Sequence, residues 1–402
     1  MKFLWPLWGR ASARSLTTLN DKDIMQDGPY VWSMVTGQIT STRSTGNRHQ
    51  QEESRPVKLP LFITVPMVSS AADTSPAGPF PVCVLLNGFQ ARASYYAPLA
   101  RRLASWGYVV LQYNAPALTI IPDAAEMPFL GEAVKWLQAA SSGEAAQPTL
   151  QGRADLNRLV VAGHSRGGKL AALHYSSGSV AGLPIRAAFL IDPVDNTAYT
   201  AESAAYPSAS KALRAAGRSF GMAAAGLIGS ANPEGSNWKL FEAAAAPGSW
   251  RLVLQRAGHT TFMKPPTGVE ACLLDRLFGG GPLSRDTAVS VTAAAMLAWF
   301  GQELAQQPTG KQQHSRAAAA APAGTAGSQQ AAAAGLGVPL ATAGLQPAAA
   351  AASVPGGGSA QHGSEPAACG GGALSGPALA AAFQEWVTAA GDEANVDFQI
   401  KA

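Results

Sequence analysis

The sequence predicts an α/β protein built on a mostly parallel central sheet with helices on both faces. Over residues 25–305, apolar runs of strand length alternate with segments whose apolar residues recur at helical spacing. Some runs, such as RLVVAG at 158–163, are apolar without interruption after their first residue, which is typical of strands covered on both faces. The chain has 402 residues and is 47% hydrophobic, so a sizeable core is expected.

The predicted strands follow one another along this body. In chain order they are KLPLFITVPM (58–67), PFPVCVLLNGF (79–89), YVVLQY (108–113), RLVVAG (158–163), RAAFLID (186–192), a weaker AAAGLIG (223–229) and SWRLVLQ (249–255). Three helices are predicted between them, over 94–107, over 129–139 and from about Arg166. In the first, Ser94 is a candidate N-cap, and Gly107 ends the helix.

The N-terminus differs in composition from the body. Residues 1–24 include Lys2, Arg10 and Arg14, several hydroxyl residues, and no acidic residue before Asp21. This pattern favours an organellar transit peptide, with a flexible tail or a small membrane-surface anchor as the alternative.

The rest of the chain, after residue 24, divides into three segments. Residues 25–305 are predicted to be one catalytic domain. Residues 306–376 are rich in Ala, Gly and Pro and almost free of charge, so we expect a disordered insert. Residues 377–402 regain helical spacing and predict a closing helix that docks on the catalytic domain.

Charge and cysteine usage exclude several classes of protein. The net charge is +4 and the basic residues are scattered, so nucleic-acid binding is not expected. The three cysteines, Cys83, Cys272 and Cys369, are far apart and match no metal-site spacing, and we expect neither a metal nor another cofactor. The sequence contains no run of 18 apolar residues, so no transmembrane helix is expected.

The stretch AGHSRGGK, at 162–169, indicates a nucleophile elbow at Ser165. The serine stands between a predicted strand and a predicted helix, where a sharp turn exposes the hydroxyl. Gly163 and Gly167 suit that turn, since a Cβ at either position would collide with neighbouring backbone. A serine that only capped a helix would need neither glycine.

The general base is expected to be His259. In α/β-hydrolases the nucleophile, acid and base follow one another in that order along the chain. His259 follows the strand SWRLVLQ, whereas the other histidines precede Ser165, adjoin it, lie in the next helix or fall in the Ala-rich segment: His49, His164, His174, His314 and His362.

The acid has three candidates. Asp192 ends the strand RAAFLI directly, and Asp195 stands three residues later on a loop. Glu234 follows the next strand by several residues, where the commonest arrangement of the fold has its acid. We favour Asp192, because a strand end holds its backbone, while an Asp-Pro pair is also a common turn former.

The oxyanion hole is expected to consist of two backbone N–H groups. Arg166 follows the nucleophile and opens a helix, where N–H groups are free to donate. Phe89 lies after the strand ending in LLNGF, and Gly88 lets the chain approach the reacting carbonyl.

At these residues the sequence resembles the chlorophyllase family. The resemblance rests on AGHSRGGK, LIDPVD, LLNGF and GHTTFM, and it covers about residues 28–305. It implies an α/β-hydrolase fold, hydrolysis of the phytyl ester of chlorophyll, and a metal-independent triad of Ser165, Asp192 and His259. The sequence departs from the family pattern in three respects: the Asn87-Gly88 pair where His-Gly is usual, the Thr-Thr-Phe-Met run after His259, and the Ala-rich segment.

The function expected from these observations and from the resemblance is that of a serine carboxylesterase that hydrolyses the phytyl ester of chlorophyll to chlorophyllide and phytol, located in the chloroplast. An apolar stretch at a strand end supplies candidate substrate-binding residues, Ile120, Ile121, Met127, Phe129 and Leu130, which otherwise cover the core. Peripheral contact with a membrane is expected. The alternative functions are a lipase or carboxylesterase acting on other apolar esters, and a catalytically inactive fold that binds a tetrapyrrole or lipid. The alternative location is the cytoplasm.

Overall fold

A computed structural model describes most of the predicted body. The described residues are 8–9, 24–42, 56–68, 78–116, 120–265, 267–306, 376–394 and 396–401. The predicted transit peptide and Ala-rich insert lie outside them, apart from residues 8, 9, 24, 306 and 376.

One large sheet organises the described residues. Its strands are β1 (Trp8–Gly9), β2 (Val31–Thr42), β3 (Pro56–Met67), β4 (Phe80–Leu86), β5 (Val109–Tyr113), β6 (Ala154–His164), β7 (Ser179–Val180), β8 (Leu183–Ile191), β9 (Gly221–Ala225), β10 (Trp250–Leu254) and β11 (Val396–Lys401). They lie in the order β1-β11-β10-β9-β8-β6-β4-β5-β3-β2, with β7 paired to β8 beside this row.

The centre of the sheet is parallel. Strands β5, β4, β6, β8, β9 and β10 pair in parallel, while β2, β3, β11 and β1 add antiparallel edges. With β4 between β5 and β6, the crossovers bring the carboxyl ends of the central strands to one edge. The predicted α/β-hydrolase fold, with a mostly parallel sheet, is therefore confirmed.

Helices cover both faces of the sheet. They are α1 (Ala97–Ser105), α2 (Asp123–Ser142), α3 (Arg166–Ser177), α4 (Ala209–Ala216), α5 (Trp238–Ala244), α6 (Gly268–Phe278), α7 (Arg285–Gln306) and α8 (Gly376–Ala394). Successive residues of β4 separate the two cores: Val82 and Val84 pack with α2 and α3, whereas Cys83 and Leu85 pack with α1 and α7. This alternation explains why the central strands read as continuous apolar runs.

Some elements differ from their predictions. Helix α2 begins at Asp123 rather than at 129, and Ser94 lies inside a 3-10 turn over Ala93–Tyr96 without capping α1. Strand β2 was not predicted, because an edge strand with one wet face lacks a continuous apolar run. The C-terminal residues also do not stay helical to 402: helix α8 ends at Ala394, and β11 then adds a strand against β10.

Helix α7 is long and apolar enough to cross a membrane by composition alone. Of its most apolar window, 72% is buried inside the molecule, where it packs with α1 and α8. That burial is typical of a core helix.

Candidate active site

Ser165 occupies a strained turn between β6 and α3. Its φ is +58° and its ψ is −124°, a conformation that a residue with a side chain rarely adopts. A Cβ at Gly163 would lie 2.2 Å from the carbonyl oxygen of Gly167, and one at Gly167 would lie 2.2 Å from that of Leu86. The two glycines therefore permit the turn that presents the serine hydroxyl, as the sequence pattern predicts.

The three residues predicted as nucleophile, base and acid lie in one hydrogen-bonded chain. Nε2 of His259 is 2.8 Å from Oγ of Ser165, and Nδ1 is 2.6 Å from Oδ2 of Asp192. His259 follows β10 and Asp192 follows β8, so the carboxyl edge of the sheet brings them together. His259 is 4% exposed and Asp192 is fully buried, and water therefore does not screen their interaction.

Two further groups fix the Asp192 carboxylate. The backbone N–H of Ala225 donates to Oδ1 at 3.0 Å, and Nδ2 of Asn232 donates to Oδ2 at 3.0 Å. Asn232 is fully buried and was not found from the sequence, because it stands 40 residues from Asp192 in a loop without a motif. Together the two donors hold the carboxylate toward His259.

The alternative acids have other partners. Asp195 accepts hydrogen bonds from the backbone N–H groups of Ala209 and Ser210 and from the hydroxyls of Ser208 and Ser210, so it caps the N-terminus of α4. Burial alone would raise the pKa of Asp195, but these hydrogen bonds outweigh it and lower that pKa. Glu234 is exposed and pairs with Lys239 at 2.8 Å.

A second histidine, His164, supports the loop that contains His259. The ring of His164 lies 4.7 Å from that of His259, and its Nε2 donates to the backbone carbonyl of His259 at 2.9 Å. Its Nδ1 then accepts from the hydroxyl of Tyr96 at 2.8 Å, and that oxygen accepts from the N–H of Gly88 at 3.1 Å. Burial, reinforced by the neighbouring His259, lowers the pKa of His164 well below 6.5, so the ring stays neutral.

This relay, from Gly88 through Tyr96 and His164 to His259, joins the loop after β4 to the loop after β10. His164 adjoins the serine and was therefore not a candidate for the general base from the sequence. Its function in the relay depends on a tyrosine 68 residues away, which no local pattern indicates.

The residues after His259 brace the same loop. The hydroxyl of Thr260 donates to Asp275, and that of Thr261 accepts from the N–H of Gly258 at 3.0 Å. The side chain of Asn87, another departure from the family pattern, donates to the carbonyl of Tyr113 at 2.7 Å. These departures thus involve residues that hold loops in place.

The predicted oxyanion donors flank the serine. Phe89 lines the cavities on both sides of Ser165, and Arg166 is the first residue of α3, whose N–H groups have no partner within the helix. A Cβ at Gly88 would lie 3.1 Å from Oη of Tyr96 and 3.2 Å from Nδ1 of His164, so the glycine leaves room for the hydrogen bond between those two groups. The assignment of these two N–H groups of Phe89 and Arg166 to the oxyanion hole stays a prediction.

The side chain of Arg166 belongs to a buried ionic cluster beside the site. It donates to Asp123 at 2.8 Å, to Glu126, and to the carbonyl of Ile121 at 2.8 Å, while Lys169 lies 2.9 Å from Asp123. Burial alone would lower the pKa of Arg166, but the charges of Glu126 and Asp123 raise it. The cluster clamps the start of α2 onto α3 and was not predicted.

The five candidate substrate-binding residues separate into two groups. Ile120 is exposed and lines a cavity of about 370 Å³ with Ser165, and Ile121 lines a larger cleft of about 670 Å³. Met127 packs against the core, and Phe129 and Leu130 are fully buried in it. The prediction is wrong for Phe129 and Leu130, because α2 starts earlier than expected and turns these positions to the sheet.

Among the described residues, no group of three or more His, Cys, Asp or Glu side chains is arranged to hold a metal ion. Cys83 is buried and Cys272 is exposed, and Cys369 lies outside the described part of the chain.

Comparison with known proteins gives a family and several relatives. Residues 22–330 match the model of the chlorophyllase family. The chain is 29% identical to Chlorophyllase-1 of Arabidopsis thaliana over 183 residues, which are 43% of this chain and 52% of that relative. It is 27% identical to Chlorophyllase-2 of the same plant over 187 residues, 45% and 54% of the two chains. The chain therefore spans about half the length of these curated relatives.

Among solved structures, the fold is similar to that of a ferulic acid esterase from Streptomyces cinnamoneus. The TM-score is 0.47 at 17% identity, over 70% of this chain and 92% of that one.

Proposed function

The chain belongs to the chlorophyllase family, and from that premise we propose that it is a serine carboxylesterase that hydrolyses the phytyl ester of chlorophyll. The observation that carries the proposal is the continuous hydrogen-bonded chain from Ser165 through His259 to Asp192, beside open cavities. A catalytically inactive fold would have no need of this alignment.

The proposed reaction begins with attack of Ser165 Oγ on the ester carbonyl. His259 accepts the hydroxyl proton at Nε2, and Asp192 holds the ring and stabilises the imidazolium. The N–H groups of Phe89 and Arg166 donate to the oxyanion. His259 then protonates the departing alcohol, and a water molecule, activated in the same way, releases the acid from the serine.

The position of His259 determines which side of the site receives the alcohol. Since its Nε2 must protonate the leaving oxygen, the alcohol lies on the side of His259 and the acyl group on the other side. On the His259 side, Met263, Leu274 and Phe278 line a cavity of about 150 Å³ with Ser165. These apolar side chains favour an apolar alcohol, and each buried CH₂ of a chain of about 20 carbons contributes ~0.8 kcal/mol.

The acyl side is larger. A cavity of about 370 Å³ borders Ser165 without reaching His259, and Ile120, Val194 and Tyr199 line it. Its size supports a bulky acid, such as the acid portion of chlorophyll, better than a small acyl group.

The deciding experiment is a comparison of substrates. We expect purified protein to release chlorophyllide from chlorophyll with a higher kcat/KM than it shows on short aryl esters or triacylglycerols, as measured by chromatography of the products. Hydrolysis of aryl esters without chlorophyllide would instead identify a carboxylesterase of other specificity. Absence of labelling of Ser165 by a fluorophosphonate would refute a serine esterase altogether, with Ser165→Ala as the control.

The N-terminal composition supports location in the chloroplast as part of this proposal. Residues 1–24 fused to a fluorescent protein are expected to direct it into plastids, and a diffuse cytoplasmic signal would contradict this.

A further inference from the structure

Helix α6 has an apolar outer face. Val269, Leu273 and Leu277 recur at intervals of four residues and are 83%, 55% and 53% exposed, and Phe278 extends the same surface at 39%. No residue of this helix is fully buried. Exposed large apolar side chains scattered singly are ordinary, but a row of four on one helix marks a contact surface.

The charges of α6 are segregated from this row. Glu270 accepts a hydrogen bond from the hydroxyl of Tyr95, and Asp275 accepts from Thr260 and pairs with Arg285 at 2.5 Å. Both carboxylates are thus paired with groups outside α6, although the Asp275 side chain is 40% exposed, whereas Arg276 is exposed without an ion pair among the described residues. The row of Val269, Leu273 and Leu277 therefore has the cation of Arg276 beside it, while the two carboxylates of the helix have partners elsewhere.

The apolar surface continues from α6 in two directions. Toward the site, Phe278 and its neighbour Leu274 line the cavity that contains Ser165 and His259. On the other side, the loop after β9 exposes Leu227 and Ile228 and is joined to α6 by a hydrogen bond of 3.1 Å from the hydroxyl of Ser230 to the carbonyl of Leu277. We call the exposed residues Val269, Leu273, Leu277, Phe278, Leu227 and Ile228 the α6 face.

We propose that the α6 face docks on the surface of a lipid bilayer, with its apolar side chains among the acyl chains and Arg276 at the headgroups. The segregated charges fit an anionic or neutral lipid surface. Continuity with the cavity of Ser165 favours lipid over a second copy of the chain, because a protein docked here would cover the mouth of that cavity. A fluid bilayer covers the apolar face and also delivers an apolar ester.

Docking of the α6 face on a bilayer extends the proposed function. It rests on that function only where it concerns the route by which the ester reaches Ser165. The cavity beside His259, at about 150 Å³, is smaller than the roughly 300 Å³ of sites that enclose drug-sized ligands. A long alkyl alcohol therefore extends past Leu274 and Phe278 onto the α6 face. Docking of this face keeps the outer part of that chain in lipid during the reaction.

The test compares two sets of serine substitutions in the full chain. The first is Val269→Ser with Leu273→Ser and Leu277→Ser, none of which lines the cavity. The matched control is Val31→Ser with Met34→Ser on β2, whose side chains are 49% and 58% exposed. Binding is measured by co-sedimentation with vesicles of phosphatidylcholine and phosphatidylglycerol, in a Ser165→Ala background so that no turnover occurs.

We expect the α6 variant to lose about tenfold or more in vesicle partitioning and the β2 variant to lose less than about twofold. With Ser165 present, kcat/KM on a short water-soluble ester is expected to stay unchanged in both, while the rate on an ester held in vesicles falls about tenfold in the α6 variant alone.

A fluorescent probe on Cys272 gives an independent measure, because this thiol is exposed on α6 while Cys83 is buried. In a Cys369→Ser background, bimane on Cys272 is expected to shift to the blue when vesicles are added. Equal vesicle binding by wild type and the α6 variant, or no shift of the probe, would overturn the proposal. So would a dimer in analytical ultracentrifugation that the α6 substitutions dissociate. Vesicle binding without ester hydrolysis would refute the proposed function and leave this inference standing.

Discussion

Replacement of Asp192 by Asn is expected to lower kcat about 10⁴-fold and leave KM little changed. The variant keeps the shape of the side chain, but an amide has one acceptor oxygen where the carboxylate has two. In the native protein Oδ1 accepts from the N–H of Ala225, and Oδ2 accepts from Asn232 and His259. All three partners are donors.

Neither orientation of the amide satisfies these donors. With its oxygen toward Ala225, the NH₂ group faces Nδ2 of Asn232 and Nδ1 of His259, and the ring must move its proton to Nε2. A protonated Nε2 cannot accept from the hydroxyl of Ser165. With its oxygen toward His259, the NH₂ group opposes the N–H of Ala225 inside a fully buried site.

The expected loss corresponds to ~5 kcal/mol of transition-state stabilisation. The assay is steady-state hydrolysis of a soluble aryl ester, after a thermal melt shows that the variant is folded. Asp195→Asn is the matched control, because Asp195 caps α4; it is expected to cost ~1 kcal/mol of stability and less than about tenfold in kcat.

Two results would refute this reasoning. If Asp192→Asn keeps a tenth or more of the activity, the carboxylate does not hold the tautomer of His259. If Asp195→Asn or Glu234→Gln is the inactive variant, the acid has been assigned to the wrong residue, although the fold is unaffected.

Four further outcomes are expected. Ser165→Ala should lower kcat on the order of 10⁶-fold, and a variant that keeps a tenth of the rate would point to another nucleophile. Tyr96→Phe leaves the N–H of Gly88 and Nδ1 of His164 without their partner, so both the melting temperature and kcat should fall, the latter about tenfold. If neither the melting temperature nor kcat changes, the relay is contradicted. Burial lowers the pKa of His174 to about 4, so its neutral ring contributes fully to the free energy of unfolding above about pH 6.5. That contribution, ~3 kcal/mol in total, is lost as the pH falls toward 4. His174→Leu should remove that part of the slope in urea unfolding, and an unaltered slope would show that His174 is not its source. Excision of residues 310–370 with a short linker should leave kcat/KM nearly unchanged, and loss of soluble expression would show that the segment has a structural role.

The sequence by itself determined the order of the central strands along the chain and the elbow at Ser165. These features are local: an apolar run specifies a strand covered on both faces, and Gly163 and Gly167 specify the turn through their missing Cβ atoms. The order of Ser165, Asp192 and His259 along the chain then limits the candidates for a triad, because each follows a strand that ends at the same edge.

Only the tertiary structure decided which groups support those residues. Asn232 beside Asp192, Tyr96 beside His164 and Asp123 beside Arg166 are pairs separated by 40, 68 and 43 residues. The same types of residue occur elsewhere in the chain, and no spacing distinguishes the partners.

The sequence also did not determine which apolar residues line a cavity. Ile120 and Phe129 belong to one apolar stretch, yet Ile120 lines a cavity and Phe129 lies in the core. The difference comes from where α2 begins, and the ion pairs of Asp123 and Glu126 with Arg166 hold that start against α3. Hydrophobicity predicts that a residue avoids water, but the packing of distant elements decides whether it does so in the core or against a ligand.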